Sequence, residues 1–84
     1  KDLPEIKLKK NYFIKGIKIL DLLTTNKIFL SKNEARRAIK GAGLKINNQV
    51  LSDENKIINL IDFENSKILK ISFGKKKHYL IKII

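Results

Sequence analysis

Phe29 to Asn48 strings together a helix start, a helix stop and a tight turn, which leaves this part of the chain few ways to fold. Ser31 stands three residues before Glu34, the spacing of a capping box in which each side chain satisfies the other's orphan backbone N–H. Leu30 and Ala35 flank the box at the positions of a hydrophobic staple. Ala35, Ala38, Ile39 and Ala42 recur at i, i+3, i+4 and i+7, which predicts a helix with a narrow apolar stripe. Lys32, Arg36 and Lys40 repeat every four residues on the far side, with Arg37 beside them. Gly41 and Gly43 are expected to supply the left-handed backbone that ends the helix. Leu44-Lys45-Ile46 then alternates as a strand does. Asn47-Asn48 can turn it back, because Asn tolerates positive φ better than most residues.

The flanking segments predict an α+β domain in which two short packed helices lie on a small, mainly antiparallel sheet. Leu3 to Leu8 reads as an edge strand, since Pro4 bars a central position. Tyr12-Phe13-Ile14 is expected to pack onto the body. After Gly16, the apolar arc Ile17, Ile19, Leu20, Leu22 and Leu23 predicts a helix over Ile17 to Thr25, ended by Asn26 or Lys27. Val50 and Leu51 continue the strand returning from the Asn turn, and Ser52 to Asn55 is turn material. A strand is predicted at Ile57 to Ile61, then an acidic loop from Asp62 to Ser66. The alternation of Ile68 to Phe73 and of Tyr79 to Ile84 predicts two strands joined by a tip at Gly74-Lys75-Lys76-Lys77. The organisation is a single domain over residues 1–84: an entering strand and linker at 1–15, a helix–helix–hairpin unit at 16–51, and the remaining sheet at 52–84. The chain lacks Met even at position 1, so it is read as a domain cut from something larger.

Charge narrows the function. The formal net charge is +11, and it is patchy. Lys27 to Lys45 carries six basic residues and one acid, and Lys67 to Lys82 carries six and none, whereas Asn47 to Ser66 sets four acids against Lys56 alone. Such placement suits steering towards a polyanion. Without Cys and with His78 as the one His, neither a disulfide, a metal site nor a Cys–His or Ser–His–Asp arrangement can be argued. His78 is read as a surface or cross-strand residue. Asp53-Glu54 lies in a turn with no apolar surround to raise a carboxyl pKa, so it is read as a solvated turn. Lys interrupts every apolar run well short of the roughly 20 residues of a membrane span, and no secretory signal opens the chain, which makes a soluble, reducing compartment the expectation. With six aromatic residues, most on apolar faces, recognition of a folded RNA by shape and backbone is expected over base stacking. The bland alternative for the cationic helix is an ordinary solvated face. The candidate RNA-contacting residues are Lys32, Asn33, Arg36, Arg37, Lys40, Lys45, Asn48, Lys75, Lys76 and Lys77.

Leu20-Asp21-Leu22-Leu23 and the run from Leu30 to Val50 resemble the RNA-binding domain named after ribosomal protein S-four. Within that superfamily, Leu3 to Leu8, Ser52 to Asn55 and Gly74 to Ile83 are similar to the C-terminal domain of bacterial-type tyrosyl-tRNA synthetases. The likeness covers nearly the whole chain. It departs at Asn47-Asn48, where the family usually has Asn-Gly, and at Asn26-Lys27, where it usually has a Gly; both replacements still ask for left-handed backbone. The resemblance implies a module that grips the anticodon stem and long variable arm of tyrosine tRNA in the cytoplasm, with no membrane partner and no cofactor of its own. Amino-acid activation, ATP with Mg, and homodimer formation would belong to the catalytic part of a parent ligase. The same fold also serves ribosome-associated proteins and rRNA pseudouridine synthases, and a basic peripheral membrane module is the remote alternative.

Overall fold

The computed structural model describes residues 4–63, 67–75 and 77–84. The first strand, β1 (Glu5–Leu8), does lie at the edge of the main sheet, where it pairs in parallel with the last strand, β7 (Lys77–Ile83). Backbone bonds from Leu80 N to the Pro4 carbonyl (2.9 Å) and from Ile84 N to that of Leu8 (3.0 Å) extend this pairing at both ends. The sheet continues antiparallel from β7 through β6 (Ile68–Phe73) and β3 (Leu44–Ile46) to β4 (Gln49–Val50). The fold is α+β and the sheet mainly antiparallel, as expected, with β1 supplying its parallel element.

Three segments differ from the reading of the sequence. Tyr12, Phe13 and Ile14 belong to a one-turn helix, α1 (Asn11–Ile14), so the helices described are three, not two. Ile17 does not open a helix: it forms β2 (Ile17–Lys18) and pairs antiparallel with β5 (Ile57–Ile58) in a second, two-stranded sheet. Gly16 makes that approach feasible, because at φ +84° a Cβ there would lie 2.6 Å from Ile57 Cγ2. The predicted strand from Ile57 stops at Ile58. Asp62 Oδ2 accepts from Asn59 N (2.9 Å) and Asn59 Oδ1 from Ile61 N (3.0 Å), so local side-chain bonds draw the chain into a 3-10 turn over Leu60–Phe63. Phe63 is thereby buried against Phe13, with ring centroids 4.8 Å apart, although the sequence placed it in a loop. The rest of that loop, 64–66, lies outside the described residues, as do Leu3 and Lys76.

Helix α2 (Ile19–Thr25) buries Ile19, Leu22 and Leu23, and its C-terminal carbonyl at Leu22 accepts from the Asn26 side chain (2.9 Å). Lys27, at φ +60°, then reverses the chain into buried Ile28 and Phe29. Helix α3 (Lys32–Lys40) follows. Both helices pack on the sheet face that carries Leu44, Leu69, Ile71 and Ile81, and together these residues form one continuous core. Among the described residues, no helix covers the opposite sheet face.

Candidate nucleic-acid interface

Local bonding sets α3 as its sequence demands. Ser31 Oγ accepts from Glu34 N (3.2 Å), which satisfies one orphan donor of the first turn. Glu34 reaches back one residue further than a capping box requires and accepts from Leu30 N (3.3 Å). The expected staple does not form, because Leu30 is 85% exposed. Ala35, Ala38 and Ile39 are buried, but Ala42 is exposed and is not part of the stripe.

The helix stop also differs in detail. Gly41 has φ −81°, an ordinary right-handed value, and the left-handed residue is Ala42 at φ +59°. Gly43 is needed for space instead: a Cβ there would lie 3.1 Å from Phe73 Cε1. Phe73 packs edge-on against Phe29 at 5.2 Å, and Gly74 N donates to the Gly43 carbonyl (3.2 Å). The β6–β7 hairpin is thus tied to the end of α3.

This tie decides which basic residues meet. Arg37 and Lys77 rim one groove whose floor includes Phe29, Gly41, Gly43 and Phe73. Asn33, Arg36, Arg37 and Lys40 line a shallow depression beside it. Five of the candidate residues therefore form one surface, and Lys75 is exposed in the adjoining turn. Lys76 lies outside the described residues.

The cations on this surface are not equivalent. Lys32 Nζ lies 3.0 Å from Asp21 Oδ1 on α2. Arg36 donates from Nη1 to Asn33 Oδ1 (3.0 Å), and its Nε stands 3.3 Å from Glu54 Oε1, a charge contact without hydrogen-bond alignment. Arg37 and Lys40 are in none of the ion pairs among the described residues. The Asp53-Glu54 turn is therefore not merely solvated, since Glu54 holds Arg36 in place. Nothing local to either residue could have shown that pairing.

Two candidates lie elsewhere. Lys45 sits between Leu44 and Ile46 on β3, so the pleat turns it to the uncovered sheet face, away from α3. Asn48 is exposed at the β3–β4 turn, where Asn47 and Asn48 take φ +51° and +69°. Asn47 is the structural member of the pair. Its side chain donates to the Asp62 carbonyl (3.1 Å) and accepts from Lys70 N (3.0 Å). His78 stands opposite Ser72 across the strands, and its Nε2 lies 3.1 Å from the Lys75 carbonyl.

A family model described as the tyrosine–tRNA ligase SYY-like C-terminal domain matches residues 1–81. The chain belongs to that family. It is 43% identical over 83 residues to a tyrosine–tRNA ligase of Pelagibacter ubique, covering 99% of this chain and 20% of that protein. A tyrosine–tRNA ligase of Rickettsia africae is 39% identical over 82 residues, 98% of this chain and 20% of the relative. One from Mesorhizobium japonicum is 40% identical over 80 residues, 95% of this chain and 19% of the relative. The chain thus spans about a fifth of the length of these relatives. In this tyrosine–tRNA ligase C-terminal domain, Lys27, Asn47 and Asn48 all adopt left-handed backbone. Among the described residues, no helix is long and apolar enough to cross a membrane, and no three His, Cys, Asp or Glu side chains are grouped to hold a metal.

Proposed function

We propose that this chain is the tRNA-binding module of a tyrosine–tRNA ligase, and that it holds the anticodon stem and long variable arm of tyrosine tRNA through their phosphates. The supporting observation is the surface on which Arg37 and Lys40, in none of the ion pairs among the described residues, stand beside Lys77 at the end of a helix fixed at both termini. Guanidinium forks suit phosphate oxygens bidentately, and an ammonium adds a point charge. Arg36 engages Nη1 with Asn33 and sets Nε beside Glu54, which leaves Nη2 for a phosphate and spares it part of the entropy of being ordered on binding. Tyrosine activation with ATP and Mg, and dimerisation, fall to the remainder of a parent enzyme acting in the cytoplasm.

A surface of this kind reads shape more than base identity. Affinity of the chain for a tyrosine tRNA transcript is expected to be on the order of micromolar near physiological salt. The test is a titration at fixed ionic strength with intact, variable-arm-deleted and stem-swapped transcripts. Deleting the arm should cost more than any base-pair swap that preserves the stems. Equal affinity for intact and arm-deleted RNA would overturn the reading.

A further inference from the structure

Strand register places a second basic surface on the side of the sheet that the helices leave open. Residues paired directly across strands point to the same face. Lys45 on β3 stands opposite Ser72 on β6, and Lys70, two residues back along β6, stands opposite Leu80 on β7. Two residues on from Leu80, Lys82 is opposite Lys7 on β1. The face therefore carries a diagonal run, Lys45–Lys70–Lys82–Lys7, with Glu5 its one carboxylate among the described residues.

The spacing follows from sheet geometry. Diagonal neighbours on adjacent strands are about 7–8 Å apart and direct ones about 5 Å, so the run extends over roughly 20 Å. The run thus offers four ammonium groups to one phosphate strand. Lys7 and Lys45 are exposed and Lys70 and Lys82 half-buried, as expected of stems lying along the sheet with their ammonium groups in water. None of the ion pairs among the described residues involves any of them. Lys7 and Lys82 even face one another directly, a like-charge pair that weakens a sheet unless an anion lies between them. Phe73 and Tyr79 belong to the helix-covered side, so the His78 imidazole opposite Ser72 is the one aromatic ring that the register puts on this face among the described residues, and the face offers chiefly charge to a backbone.

We propose that this open sheet face is a second RNA-backbone site, so that the domain binds two phosphate strands of one folded RNA, one against α3 and one against the sheet. The proposal rests on the RNA-binding reading above, and it takes Lys45 out of the helix site and makes it the first member of the sheet site. The test compares two variants of the 84-residue chain, which has a continuous core of its own. One is Lys45→Gln/Lys70→Gln/Lys82→Gln, and the other is Arg37→Gln/Lys40→Gln. Binding of a tyrosine tRNA transcript is measured across a salt series.

The sheet variant should lower the slope of log affinity against log salt by about 2–3, at roughly 0.7–0.9 per lost phosphate contact, and its loss should add to that of the helix variant. An unchanged slope for the sheet variant, beside a lowered one for the helix variant, overturns the second site and leaves the first. Failure of the unmodified chain to bind the transcript overturns both. Lysine acylation of the unmodified chain gives a readout that does not depend on a variant folding. Bound RNA should protect Lys45, Lys70 and Lys82 together with Lys40, and full reactivity of the three sheet lysines overturns the proposal.

Discussion

The α3 surface and the open sheet face carry the same kind of charge, but the protein holds that charge in different ways. On α3 the cations are partly restrained. Asp21 holds Lys32, and Asn33 with Glu54 holds Arg36, while Arg37 and Lys40 are in none of the ion pairs among the described residues. On the sheet no ion pair among the described residues involves a lysine of the diagonal run, and position is set by backbone register. A planar guanidinium held by neighbours is suited to one phosphate geometry, whereas flexible ammonium groups accept many. On the two-site proposal, the helix surface chooses the RNA and the sheet face adds strength.

The sharpest way to break this comparison is charge reversal on each side. Arg37→Glu/Lys40→Glu should weaken transcript binding by about a hundredfold or more, since each charged hydrogen bond lost is worth about 1.5–3 kcal/mol. Thermal stability should move by about 0.5 kcal/mol or less, because both residues are exposed. Lys70→Glu/Lys82→Glu should cost about tenfold if the sheet contributes unspecific phosphate contacts. Equal losses on the two sides, in filter-binding or fluorescence titrations, would remove the distinction.

Two stability measurements ask how firmly α3 is set. Ser31→Ala removes the oxygen that accepts from Glu34 N and should cost about 1 kcal/mol, read as a lower melting temperature. Ala42→Gly should act in the opposite direction. Left-handed backbone costs an L-residue about 1–2 kcal/mol, and the extra freedom of glycine in the unfolded chain returns about 0.4–1 kcal/mol of that. The remainder is a gain of about 0–1.6 kcal/mol, at its middle value a rise of a few degrees in melting temperature for a domain of this size. A loss of stability would mean that Ala42 is not held at positive φ in solution.

The smallest effect is expected at the restraint itself. The Arg36–Glu54 pair is partly exposed, at 41% and 32% of its side chains, so Glu54→Gln should change stability by about 0.2–1 kcal/mol at most. Its effect on binding should appear as lost discrimination between intact and arm-deleted transcripts. A variant that discriminates as well as the original chain would show that Arg36 needs no restraint to select its phosphate.

Where interactions are local, the amino-acid order determined the result. The N-cap of α3 and the spacing of its cations depend on contacts within about four residues and were legible, as was the Asn47-Asn48 turn, although the Asn47 side chain is held by Asp62 and Lys70 from far along the chain. Even there, packing moved details. Gly43 serves Phe73 and not a positive φ, and Leu30 stays in water. Ile17 and Ile57 looked like parts of a helix and a long strand until their mutual pairing, which no local period encodes, made them a small sheet of their own. Tertiary structure alone decided which cations have partners and which share a face. Asp21 and Glu54 reach α3 only because other elements are packed beside it. Lys7 meets Lys82 only because the first strand closes on the last. The sequence records which residues are charged and how each strand alternates, but the alignment of one distant strand with another is set by the core they bury together.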